Sequence, residues 1–128
     1  MPGYERQYNP PAPVAPVTVT NLLTGRSSEP VQGKLDTGAG LTVIPQRLVS
    51  ELRLSPHGQV WAGSYDGTYS RRHFYFANFI LDGHELGLVQ CVATVRETVL
   101  VGRNILNLFV LTLDGPRLIF DLRKGRGT

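Results

Sequence analysis

The pattern of apolar and polar positions changes character at Val14. Before it, Pro2, Pro10, Pro11 and Pro13 are mixed with polar residues. Such a stretch cannot pair as a strand or bury a core, so residues 1–13 are expected to be a flexible or extended lead-in. After it, apolar residues come in short runs. Val17-Thr18-Val19-Thr20 is β-branched throughout and predicts a strand. Residues 21–30 read as a turn, 31–36 as a second strand and 41–44 as a third. Pro45 then opens a short helix, with Leu48, Val49 and Leu52 on one face at helical spacing.

Beyond that helix the punctuation is Asp-Gly, at 66–67, 82–83 and 114–115. This dipeptide tolerates the positive φ angles of tight hairpins. Each copy lies between apolar or aromatic runs, which predicts hairpins over about residues 58–76, 73–95 and 108–122. A second short helix, in the C-terminal half, starts after Gly102 with Ile105, Leu106 and Phe109 on one side. The fold class is mostly β: many short strands, two short helices, and a curved or barrel-like sheet.

Composition adds bounds. A chain of 128 residues, 41% hydrophobic and 18% charged, suits one domain with a modest core. Fourteen glycines and nine prolines fit many turns and few long helices. No apolar run is long enough to span a membrane. The N-terminus lacks the charged start and apolar core of a signal peptide. Cys91 is the only cysteine, which excludes an internal disulfide and, with the missing signal, points to a cytoplasmic setting. Its apolar surroundings, residues 88–95, suit a buried small hydrophobe. Eleven of the thirteen basic residues are arginine. They are scattered rather than gathered on one stripe with aromatic partners, which argues against nucleic-acid binding. The basic tail, residues 124–128, is read as solvating the C-terminus.

Most familiar chemistries are absent. His57, His73 and His84 lack metal-ligand spacing, so no metal or cofactor is expected. There is no Gly-x-Ser-x-Gly elbow, P-loop or dinucleotide fingerprint. Of five aspartates, Asp66, Asp82 and Asp114 are explained by turns, and Asp121 falls at a strand end. Asp36 is left, in a polar turn between two apolar segments, where a rigid scaffold can present it.

Leu35-Asp36-Thr37-Gly38-Ala39, followed by Leu41-Thr42-Val43-Ile44-Pro45, resembles the active-site loop of retropepsin-like aspartic proteases. Val99-Leu100-Val101-Gly102-Arg103-Asn104-Ile105-Leu106 resembles the second signature of that family, and residues 60–69 occupy the position of its flap hairpin. The resemblance covers residues 14–122 and implies a protease domain over residues 14–123.

The resemblance implies a homodimer in which each subunit supplies one Asp36. Two carboxyl groups that close cannot both be ionised, so they share a proton and activate a water against a peptide bond. Thr37 would brace the two loops across the dimer axis, or is an ordinary turn threonine. Gly38 and Ala39 would keep the approach to the substrate uncrowded. Trp61, Gly63, Ser64, Tyr65 and Gly67 would form the flap. Trp61, Tyr65 or Tyr69 would line the groove or simply pack the hairpin. The C-terminal hairpin, apolar on both arms, would lie at the dimer interface or fold back on its own core.

One position departs from the family pattern. Many viral members carry an acidic residue where this chain has Gly40, and it pairs with the arginine that corresponds to Arg103. Arg103 must therefore find another partner. A catalytically silent dimerisation or peptide-binding module is the alternative function, and a domain cut from a larger precursor is a third.

Overall fold

The computed structural model describes residues 1–63 and 67–125. Alternation along the first strand, β1 (Val14–Thr20), turns Ala15, Val17 and Val19 inward. The order continues with β2 (Val31–Leu35), β3 (Thr42–Pro45), α1 (Gln46–Glu51), β4 (Gly58–Gly63) and β5 (Tyr69–Leu81). Then come β6 (His84–Thr94), β7 (Val99–Val101), α2 (Arg103–Leu106), β8 (Phe109–Asp114) and β9 (Ile119–Lys124).

β1 closes the sheet. Its first half pairs with β2, from Val14↔Lys34 to Val17↔Val31, and its second half with β5, from Val17↔Leu81 to Thr20↔Asn78. The ring runs β1-β2-β7-β3-β6-β5 and back to β1, a closed six-stranded barrel. A closed ring leaves no edge between its members. Phe79, Leu81, Ile44, Val99 and Val101 fill the interior. Leu48, Val49 and Leu52 bury the expected face of α1. Cys91 is fully buried in β6, and burial pushes its thiol up to about 12.

The barrel threads in a way that sets up the site. β7 lies between β2 and β3, parallel to the first and antiparallel to the second. Gly102, which follows β7 and caps α2, is there for space. A Cβ on it would lie 2.6 Å from the Leu41 carbonyl carbon and 2.9 Å from the Thr42 nitrogen. These are backbone atoms, which have no side-chain rotamer through which to give way.

The three expected hairpins form, with different turns. Asp82 and Gly83 both take positive φ, 49° and 81°, as an Asp-Gly hairpin requires. At Asp114-Gly115 the following proline wins. Pro116 takes the second position of a turn closed by the Leu118 amide donating to the Gly115 carbonyl at 3.0 Å, and the positive φ falls on Leu118. Asp114 accepts from the Arg117 amide at 3.2 Å instead. Asp66 lies outside the described residues.

One sequence-based expectation needs correcting. Residues 1–13 do pair. Gly3 bridges Ile119, the Phe120 amide donates to the Pro2 carbonyl at 2.9 Å, and the Tyr4 amide donates to Leu118 at 2.8 Å. Ala12 is buried and bonds Glu5 in both directions. Proline lacks the N–H but keeps a carbonyl, which is enough at a strand edge. The C-terminal hairpin is buried only in part. Phe120 and Leu122 are buried in the chain's own core, whereas Val110 on the other face is nearly half exposed, as is Leu113, although it pairs with Phe120.

Candidate active site

Asp36 is the first residue past β2, and the barrel fixes its backbone. Its amide donates to the Val101 carbonyl at 3.0 Å, which extends the β2–β7 pairing by one residue. The chain then turns away. Gly38 donates its amide to Asp36 Oδ1 at 2.9 Å, and Ala39 donates to the Asp36 carbonyl at 3.2 Å. The carboxylate is thereby aimed by its own loop, with one oxygen held by a backbone N–H.

The loop is held from the other side by α2. Arg103 and Asn104 donate their amides to the Ala39 and Gly40 carbonyls, at 2.8 and 3.2 Å. These are N–H groups from the first turn of α2, which the helix itself cannot satisfy. The Arg103 guanidinium donates from Nη1 to the Thr37 carbonyl at 2.8 Å. Thr37 thus supplies the partner that the missing acidic side chain would have provided. A Cβ on Gly40 would stand 3.6 Å from Arg103 Nη2, so the guanidinium lies over the glycine.

Beneath the loop is a buried network in which Thr42 has no expected role from sequence. Asn104 Oδ1 accepts from the Thr42 amide at 3.0 Å and from the Thr42 hydroxyl at 2.8 Å. Thr42 Oγ1 accepts from the Gly102 amide at 3.1 Å, and Asn104 Nδ2 donates to the Gln90 carbonyl at 2.8 Å. Thr42 is fully buried, yet its hydroxyl and amide are both satisfied. The network joins β3, β6, β7 and α2 under Asp36. The only sequence signal for it was a threonine facing inward in an otherwise apolar strand.

Asp36, Gly38 and Ala39 line a cleft of about 510 Å³ together with Gly63 from the end of β4. Thr37 is exposed beside it. Arg72 and Arg96 also line it. Trp61 and Tyr69 do not: Trp61 is 64% exposed with Arg71 5.3 Å from its ring centre, and the Tyr69 ring lies over Gly63. Gly67 takes a positive φ of 81°. Ser64 and Tyr65 lie outside the described residues. Among the described residues no helix is long and apolar enough to cross a membrane.

No protein-family model matches the chain, and no curated protein matches it by sequence. Solved structures do match by shape. The protease of EIAV, complexed with the inhibitor HBY-793, superposes with a TM-score of 0.58 at 17% identity, covering 75% of this chain and 86% of that one. The retroviral protease-like domain of Ddi1 from Leishmania major gives 0.54 at 13%, covering 85% and 86%. A retropepsin-like aspartic protease from Rickettsia conorii gives 0.52 at 13%, covering 80% and 87%. At such identities the likeness is one of fold. The chain has the retropepsin-like fold.

Proposed function

We propose that this chain is one half of an aspartic endopeptidase, completed when a second copy brings its own Asp36 to the first. The proposal rests on the placement of Asp36: a carboxylate aimed by a glycine amide, on a loop clamped by backbone bonds, at the wall of an open cleft. One carboxylate cannot both take a proton from water and give one to the substrate carbonyl. Two that share a proton can, because one is then base and the other acid. The ionised carboxylate removes a proton from the bound water. The oxygen attacks the amide carbon, and the protonated carboxyl donates to the developing oxyanion. Collapse passes a proton to the leaving nitrogen.

Two exposed features support the reading of a second copy. Thr37 is exposed next to Asp36, where it can bond its counterpart across a two-fold axis. Leu108 and Val110, and Leu113 on the opposite face of β8, are nearly half exposed, apolar surface suited to self-association. The β4–β5 arm would close over a bound peptide and exclude water.

Incubation with an unstructured polypeptide between about pH 3 and 7 tests this, in the acid range where a carboxyl pair holds one proton. Wild type should cleave, and Asp36→Asn should lose about 10²- to 10⁴-fold in rate, the worth of a positioned acid–base group. Cleavage by both proteins, or by neither, would falsify the proposal. A monomer at all concentrations with full activity would sink the shared site. A folded, dimeric protein that binds peptide without cutting it would instead be the silent binding module.

A further inference from the structure

We propose that Arg103 is a positioning residue for Asp36, acting through the one peptide group that joins Thr37 to Gly38. This rests on the peptidase reading and adds to it a residue that tunes the acid–base group without touching substrate. Arg103 Nη1 donates to the Thr37 carbonyl at 2.8 Å, and the Gly38 amide donates to Asp36 Oδ1 at 2.9 Å. That carbonyl and that amide belong to the same peptide group. A trans peptide is planar, and its C=O and N–H point in opposite directions. The guanidinium therefore stands at one end of a rigid plate and the carboxylate at the other. Tilting the plate would strain both bonds together, so holding the carbonyl holds the donor that aims Asp36. Arg103 grips the loop a second time, through its own amide to the Ala39 carbonyl at 2.8 Å. The carbonyls on either side of Gly38 are thus both tied to one residue.

The contact also carries charge. A cation at a carbonyl oxygen polarises the peptide and makes its N–H a stronger donor. A stronger donor to a carboxylate favours the ionised form, which is the form that takes a proton from water. No carboxylate draws the guanidinium elsewhere. The ion pairs among the described residues join Arg47 to Glu51 and Glu97, and Arg117 to Asp114. At Gly40, where a Cβ would stand 3.6 Å from Arg103 Nη2, there is no side chain to compete. Of the strands packed on α2, β3 has no ionisable group, β6 has His84, Glu85 and the buried Cys91, and β8 has only the paired Asp114. Of the strands that hold Asp36, β7 has none, and Lys34 of β2 lies over the Tyr8 ring. Arg103 is exposed, so solvent screens its charge and the effects are modest.

The test compares Arg103→Lys, Arg103→Gln and Arg103→Leu with wild type, at concentrations where urea unfolding and sedimentation show each to be folded and dimeric. Arg72 and Arg96, which line the cleft with Asp36, are common to all four proteins. Activity should fall from Lys through Gln to Leu. In Arg103→Leu kcat should drop about tenfold, the worth of one charge-assisted bond, while KM moves less than about twofold because no substrate contact is lost. The acid limb of its kcat profile should shift up by about half a pH unit, and that of Arg103→Lys hardly at all. A second readout needs no cleavage. The Gly38 amide resonance should shift as the protein is acidified, lose that step in Asp36→Asn, and show a midpoint about half a unit higher in Arg103→Leu. Where Arg103→Leu does not fold, Gln against Lys gives the same contrast, a neutral donor against a cation. A rise in KM at unchanged kcat, or Gly38 titrations that coincide in wild type and the neutral variants, would overturn the inference. A wild type that cleaves nothing removes the peptidase reading, and the Gly38 titration then still decides whether Arg103 acts on Asp36.

Discussion

The Asp36 loop and the β4–β5 arm both border the cleft, and they are held in opposite ways. The loop is tied to β7 and α2 through the Asp36 amide, the Ala39 and Gly40 carbonyls and the Arg103 guanidinium, over a buried Thr42–Asn104 network. Among its described residues the arm is held mainly by its ladder, with Arg71 against the Trp61 ring and Arg72 bonded to the Ala93 carbonyl. Trp61 and Tyr69 are largely exposed, and the outer part of β5 alternates between exposed and partly exposed residues. In the same strand every second residue is buried from Tyr75 on, where it enters the barrel. The contrast separates two demands. A reacting group must be placed by structure that does not yield, and a cover must yield for a chain to enter.

The largest effect expected from breaking that contrast is at Gly102. Gly102→Ala pushes a methyl into the Leu41 and Thr42 backbone and should cost about 3 kcal/mol by denaturant titration. An unchanged unfolding midpoint would show that the loop is not clamped there. Asn104→Leu strips the Thr42 amide and hydroxyl of their acceptor while keeping the volume. It should cost about 2 kcal/mol, a fall in Tm of roughly 10 °C, with peptidase activity falling alongside. Trp61→Ala and Tyr69→Ala sharpen the contrast from the other side. Each should change stability by about 0.5 kcal/mol or less, while KM for a peptide rises several-fold. Stability losses as large as at Asn104 would erase the difference between the two regions.

The smallest effect concerns the barrel wall from which both regions extend. Burial raises the Cys91 thiol from 9.0 to about 12. Above pH 9 the unfolded chain loses that proton while the folded chain keeps it. The unfolded state then binds fewer protons, so stability falls as pH rises from about 9 toward about 12. Unfolding free energies from urea titration should fall between pH 8 and pH 10 by about 1 kcal/mol more for wild type than for Cys91→Val. Equal slopes would mean that the thiol reaches solvent in the folded state.

Local signals carried most of the fold. The alternation in β1, the turn at Asp82-Gly83 and the apolar face of α1 each depend on residues within a few positions of one another. The same holds for Asp36, which stood out because every other aspartate had a turn or strand end to explain it. What escaped the sequence is non-local. The Arg103–Thr37 bond joins residues far apart in the chain, and the Thr42–Asn104 network exists only once β7 has entered between β2 and β3. Pairing of residues 2–4 with β9 joins the two ends of the chain, and proline content alone gave the wrong expectation for it. At Asp114-Gly115 a longer reading would have helped, since Pro116 decides the turn.

The threading of β7 has a consequence for synthesis. β2 and β3 are neighbours in sequence, but each gains its shared partner only when Val99–Val101 are available. A ribosome adds about 5–20 residues per second, so Asp36 leaves the exit tunnel several seconds before the strand that orients it. During that interval the nascent chain carries the aspartate without the strand whose Val101 carbonyl anchors its amide, so the order of synthesis delays the placement of Asp36.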